Sequence, residues 1–176
     1  MATDERIRVV LAEHSPAWAQ LFRNEEQRIR AILGRVAVVV EHVGSTAVPG
    51  LPAKPVVDVC LGVPDPRDEP RYLTQLTRIG YRLRIREPEW FEHRLLVLPE
   101  PAVNLHVFAV GCPEITRMIR FRDRLRSHPA DRLRYAAAKA ALARHRWPSM
   151  QDYADAKTGT IGAILAAAEA DNPGSE

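Results

Sequence analysis

Two β-branched runs dominate the hydrophobic pattern of the chain, Val36 to Val43 and Pro55 to Val63, and each has the length of a buried strand. Between them lie Gly44-Ser45-Thr46 and a loop punctuated by Pro49, Gly50, Pro52 and Pro55, so the stretch predicts strand, tight turn, prolyl loop and strand. Upstream, Arg6 to Leu11 alternates weakly as a first strand. Ser15-Pro16 then caps a helix with proline in its first turn, and Trp18, Leu21, Phe22, Ile29, Ile32 and Leu33 recur at helical spacing until Gly34 ends it.

Downstream, Tyr72, Leu73, Leu76 and Ile79 predict a helix closed by Gly80. Tyr81 to Arg86 alternates Tyr, Leu and Ile against Arg82, Arg84 and Arg86; this row reads as a solvated strand face or as a phosphate-binding one. His93 to Leu98 and Val103 to Val110, parted by Pro99-Glu-Pro101, predict an antiparallel pair with Asn104, His106 and Phe108 on one face. From Pro113 the pattern is helical: one helix to the Ser127-His-Pro129 break, a second from Asp131 to about His145, and a last one opened by Ser149 and Asp152 after Trp147-Pro148, fraying from Asp171. The expected class is α+β, a mixed β-sheet flanked by helices with a C-terminal helical segment. A single domain over residues 1–176 is expected, its sheet within about 1–111 and its C-terminal helices within about 113–170.

Several polar groups interrupt this pattern. Gly44 can adopt a backbone conformation closed to other residues, and Ser45 and Thr46 add hydroxyls beside it, a local arrangement suited to an anion. Asp58 is a lone carboxylate in an apolar strand, where a charge is costly without a partner. Lys54, four residues earlier, either neutralises Asp58 or meets a phosphate. Tyr135 precedes Lys139 and Tyr153 precedes Lys157 by one helical turn, which sets each lysine on its tyrosine's face. Such a lysine either snorkels to water over the ring or points into an anion-binding cleft. Arg122 and Arg126, with Asp123 between them, either pin their helix to the sheet or reach that cleft.

The segment His42-Val-Gly-Ser-Thr-Ala-Val-Pro-Gly-Leu51, with Lys54-Pro and Asp58, resembles the signature of the GrpB family (UPF0157). Phe91, His93-Arg94, Asn104-Leu-His-Val107 and Phe121-Arg-Asp-Arg-Leu-Arg126 agree with it, as do Tyr135 with Lys139 and Tyr153 with Lys157, so the resemblance runs from about residue 8 to about 168. It implies a nucleotidyltransferase-like fold, and relatives fused to dephospho-coenzyme A kinase. Nucleotidyl transfer uses a triphosphate cradle and carboxylates holding two divalent ions. The resemblance therefore assigns catalysis to Asp58, Ser45 and His106, and phosphate binding to Gly44, Ser45, Thr46, Lys54, Lys139 and Lys157.

The match to the catalytic pattern is incomplete. Cys60 stands where a second acid of the pair belongs, and His106 occupies the place of the third, so two magnesium ions lack their usual ligands. His42, Asp58 and His106, with His93 and Glu41 nearby, instead suggest a softer divalent metal or acid–base chemistry; hydrogen-bonded structural histidines are the other reading. The implied ligand is a nucleotide or other anionic, phosphorylated small molecule. Binding it without turnover is the alternative to metal-dependent transfer.

Composition narrows the partners. The net charge of +3 is mild and no stacking-aromatic motif accompanies the arginines, which argues against nucleic acid. No apolar run reaches the length of a membrane span and no signal-peptide core opens the chain, so a cytoplasmic protein with reduced Cys60 and Cys112 is expected. Of 25 basic residues 22 are arginine, leaving Lys54, Lys139 and Lys157 as the three lysines. Either genomic composition spared them, or those positions need a compact ammonium whose pKa can be tuned.

Overall fold

The computed structural model describes residues 6–171; the expectations about the N-terminal leader and the frayed tail fall on residues 1–5 and 172–176, outside them. A short strand β1 (Ile7–Arg8) leads to α1 (Pro16–Leu33), whose start follows from local chemistry: the Ser15 hydroxyl accepts from the Ala17 amide and proline fills the first turn. The chain continues through β2 (Val39–Val43), β3 (Val57–Val63), α2 (Leu73–Arg78), β4 (Arg82–Glu87), β5 (His93–Leu98) and β6 (Val103–Ala109). Four helices follow, α3 (Pro113–Ser127), α4 (Pro129–Ala143), α5 (Met150–Ala156) and α6 (Thr158–Asp171), with the short strand β7 (Arg146–Trp147) between α4 and α5.

The five long strands form a mixed sheet in the order β2-β3-β6-β5-β4, parallel only between β3 and β6. On one face Val57, Val59, Leu61, Leu105 and Val107 pack against Ile29 and Leu33 of α1 and Leu76 of α2. Completely buried side chains such as Ile29 and Leu76 each contribute roughly 1.5–3 kcal/mol. The other face is only partly covered. Helix α3 places Ile115 over Val43, Cys60 and Phe108, while Tyr135 of α4 and Ile164 of α6 pack on Val48 and Leu51 of the prolyl loop. A stretch of sheet around Asp58 therefore faces α4 and α5 across a gap.

Several expected elements change. The last helix divides at Lys157 into α5 and α6, and the Trp147 break contains β7, which pairs antiparallel with β1. Helix α4 begins at Pro129, two residues early, because proline is favoured in a first turn. The alternation of β4 is broken by an irregularity between Leu83 and Ile85: Leu83 opposes Leu96 and packs in the core, whereas Ile85 opposes Leu95 on the other face. An extra residue reverses the inside–outside phase of all that follows. Among the described residues, no helix is long and apolar enough to cross a membrane.

Candidate functional site

The gap is a cleft of about 650 Å³, floored by β3, β6 and β5 and walled by the Ser45 turn, the loop at Lys54, α4 and α5. Its floor follows from register: Asp58 opposes Asn104 and Cys60 opposes His106, so the polar side chains of these strands share the open face. Asn104 Nδ2 donates to Asp58 Oδ1 at 3.0 Å, and His106 Nε2 lies 3.6 Å from the same oxygen. The Asp58 side chain stays 31% exposed. Burial alone would raise its carboxyl, but His106, Asn104 and the Lys54 charge outweigh that and hold it below the usual carboxylate value.

Gly44 follows β2 with φ 72°, as the turn requires, and a Cβ there would stand 2.6 Å from Asp58 Oδ2. Glycine thus lets the turn settle directly on the carboxylate. The next residue, Ser45, turns its hydroxyl toward α4, where Lys139 Nζ donates to Oγ at 2.9 Å and also to the Pro52 carbonyl. Thr46 Oγ1 lies 3.0 Å from His42 Nε2.

All three lysines of the chain line this cleft. Lys139 is only 2% exposed, with its ammonium 5.0 Å from the Tyr135 ring centre. Lys157 and Lys54 lie 4.5 and 5.9 Å from the Tyr153 ring centre, one from each side of the chain's length. None is in an ion pair among the described residues. Burial lowers Lys139 to about 7, with Lys157 and Lys54 adding repulsion; burial and Lys54 lower Lys157 to about 8 against the opposing pull of Asp58. The Tyr153 hydroxyl is buried in the same wall without a hydrogen-bond partner among the described residues.

Not every expected site residue arrives. His42 opposes Val59, one position out of phase with Asp58, so it projects from the opposite face of the sheet and stacks on Phe22 of α1 at 4.9 Å. The set His42, Asp58 and His106 is therefore not assembled. Among the described residues no three His, Cys, Asp or Glu side chains converge as a metal site. His93 does reach His106, Nε2 to Nδ1 at 3.1 Å, and its Nδ1 lies 2.6 Å from Glu87. Glu87 was invisible in the sequence because only the irregularity in β4 turns it to that face.

The arginines divide in the same way. Arg122 donates to Glu41 at 2.6 Å and to the His42 carbonyl at 2.9 Å, and Arg126 donates to the Ala47 carbonyl at 2.9 Å. They pin α3 to β2 and the turn. In the β4 row, Arg86 pairs with Glu69 away from the cleft, whereas Arg84, at the irregularity, lines it.

A model of the GrpB protein family matches residues 8–167. The chain belongs to that family. It is 51% identical over 162 residues to a UPF0157 protein of Halalkalibacterium halodurans, covering 92% of this chain and 83% of that one. A UPF0157 protein of Streptomyces coelicolor is 41% identical over 166 residues, 94% of this chain and 87% of the other. The crystal structure of the conserved protein GrpB from Enterococcus faecalis superposes with a TM-score of 0.79 at 31% identity, over 90% of this chain and 96% of that one.

In this GrpB protein the position two residues after Asp58 cannot stand in for a second acid. Cys60 is completely buried beneath α3, and burial pushes its thiol up to about 12. The cleft therefore offers one carboxylate, one imidazole, four hydroxyls, one guanidinium and three lysine amines.

Proposed function

We propose that this GrpB protein binds a nucleotide or another phosphorylated small molecule in the lysine cleft. The observation that carries this reading is the convergence there of all three lysines, without a carboxylate of the described residues in ion-pair contact with any of them. Bringing like charges together in a half-buried wall is unfavourable unless an anion completes the site. The volume suits a small ligand, and the partnerless Tyr153 hydroxyl has a use as a donor to one. Lys54 and Lys157 would meet phosphate oxygens, with the Gly44-Ser45-Thr46 turn at their side. In this reading the strand–Gly-Ser–strand–Asp arrangement is nucleotidyltransferase-like.

The donor set does not fit a two-magnesium centre. Asp58 is the one carboxylate of the floor, its Oδ2 is covered by Gly44, and Oδ1 is engaged by Asn104. Binding without two-metal turnover follows. Transfer chemistry is a second reading, favoured by the 3.6 Å approach of His106 to an Asp58 held ionised.

Calorimetry with pyrophosphate and with ATP, each with and without magnesium, tests both. Binding of either anion without magnesium, weakened in Lys157→Ala, is expected. No heat with any of them overturns the proposal, and release of pyrophosphate from ATP only with magnesium replaces it by the second reading.

A further inference from the structure

We infer that Ser45 and Lys139 form a nucleophile and its general base, so that the Ser45 hydroxyl accepts a phosphoryl group from an anionic phosphoester held in the cleft. The inference rests on the phosphate-binding reading and adds a covalent step to it.

The geometry sets the two side chains in different places. Ser45 lies on the cleft wall beside Asp58, whereas Lys139 stands behind it, nearly sealed from solvent, with Nζ 2.9 Å from Oγ. That is the separation a base needs to take the hydroxyl proton. The other contacts of Nζ hold it in place without an opposite charge. One N–H donates to the Pro52 carbonyl, another points to Ser45 Oγ and the Tyr135 ring flanks the group; once Nζ loses a proton, its lone pair can take the place of the N–H that faces the Ser45 hydroxyl.

The charges facing Lys139 come from other elements: Lys157 at the end of α5 and Lys54 from the prolyl loop. Both repel a proton on Nζ, and among the described residues neither Asp58 nor any other carboxylate is in ion-pair contact to retain one. Burial, with the charges of Lys157 and Lys54 added to it, lowers Lys139 to about 7. A lysine meant only to bind phosphate needs exposure and full charge, and Lys54 and Lys157 are better placed for that.

In the step, the Oγ–P bond forms as the bond from phosphorus to the leaving oxygen breaks, and the hydroxyl proton passes to Lys139 Nζ. Lys54 and Lys157 balance charge on the non-bridging oxygens. The departing oxygen leaves on the far side of phosphorus and, where it is basic, takes its proton from solvent water. Water, deprotonated by the same amine, later cleaves phosphoserine to free phosphate and restores Ser45.

The test uses the full chain and p-nitrophenyl phosphate, with p-nitrophenolate release followed by absorbance and the modified residue mapped by tandem mass spectrometry. One equivalent is expected in a burst, with the phosphoryl group on Ser45 and a rate rising through about pH 7 as Lys139 loses its proton. Ser45→Ala removes the burst. Lys139→Arg keeps a cation that cannot act as a base at this pH and lowers the rate about 10²-fold, and Lys139→Met does the same in a side chain that fits the buried site. Wild-type protein that binds pyrophosphate yet never carries phosphate on Ser45 overturns the inference alone, as does equal labelling in both folded Lys139 variants. Failure to bind pyrophosphate at all overturns the underlying reading.

Discussion

The basic groups of α3 and those of the cleft lie on the same side of the sheet but are treated in opposite ways. On α3, Arg122 is shared among Glu41, Asp123 and a strand carbonyl, and Arg124 bonds Asp131 and Asp171. Both guanidinium groups are held by several of the chain's own acceptors. In the cleft three ammonium groups approach one another over tyrosine rings, and the nearest carboxylate, Asp58, is already held by Asn104 and His106. A charge fully satisfied by its own fold is a structural clamp; a charge left short of partners is held in readiness for something outside the fold. The choice of residue matches, since a planar fork can bind several acceptors at once and a compact amine can lose its proton.

The strongest way to break this contrast is to remove the clamp. Arg122→Ala leaves Glu41 and the His42 carbonyl without their donor and is expected to cost about 2–3 kcal/mol of unfolding free energy in urea, the scale of hydrogen bonds to a charged group whose carboxylate partners stay part-exposed. A loss below 1 kcal/mol would make the seam as dispensable as an exposed ion pair.

Acid should act almost as strongly on the histidine beside that seam. Burial, aided by Arg126, lowers His42 to about 4 from an ordinary 6.5, so the unfolded chain binds the proton first as pH falls. The stability associated with neutral His42 is complete above pH 6.5 and is lost on going down toward pH 4, by roughly 2–3 kcal/mol. Urea midpoints across that range check the sign, and His42→Gln should flatten the dependence. His93, also lowered to about 4 by burial, contributes in the same direction.

At the boundary between the two regions, Gly44→Ala forces a side chain into a positive φ and against Asp58 Oδ2. A loss of about 1–3 kcal/mol is expected, together with weaker pyrophosphate binding because the turn and the carboxylate must part. Unchanged affinity would detach Asp58 from the site.

Lys139→Met should give the smallest stability change, within about 1 kcal/mol of the parent or more stable, since it replaces a buried amine, with no opposite charge in contact among the described residues, by an apolar side chain of similar length. A loss comparable to Arg122→Ala would make Lys139 a clamp after all and erase the contrast.

Much of this was legible in the residues. The Ser15-Pro16 start of α1, the Ser149 cap of α5 and the positive φ of Gly44 are decided within a few residues, and all occur. Glu41 and His42, adjacent in β2, reach opposite faces as alternation demands, one to Arg122 and the other to Phe22. The irregularity in β4 was not legible, because the alternation of Tyr81, Leu83 and Ile85 reads as an unbroken strand. With it went the contact of Glu87 with His93 and the place of Arg84 in the cleft.

Local periodicity and turn chemistry determined the strands, the helix starts, the Gly44 turn and the family resemblance, since these depend on neighbours along the chain. Whether Lys54, Lys139 and Lys157 would meet was decided only when α4 and α5 packed against the prolyl loop. Their meeting is a matter of helix placement, and no spacing within a single element encodes the distance between two of them.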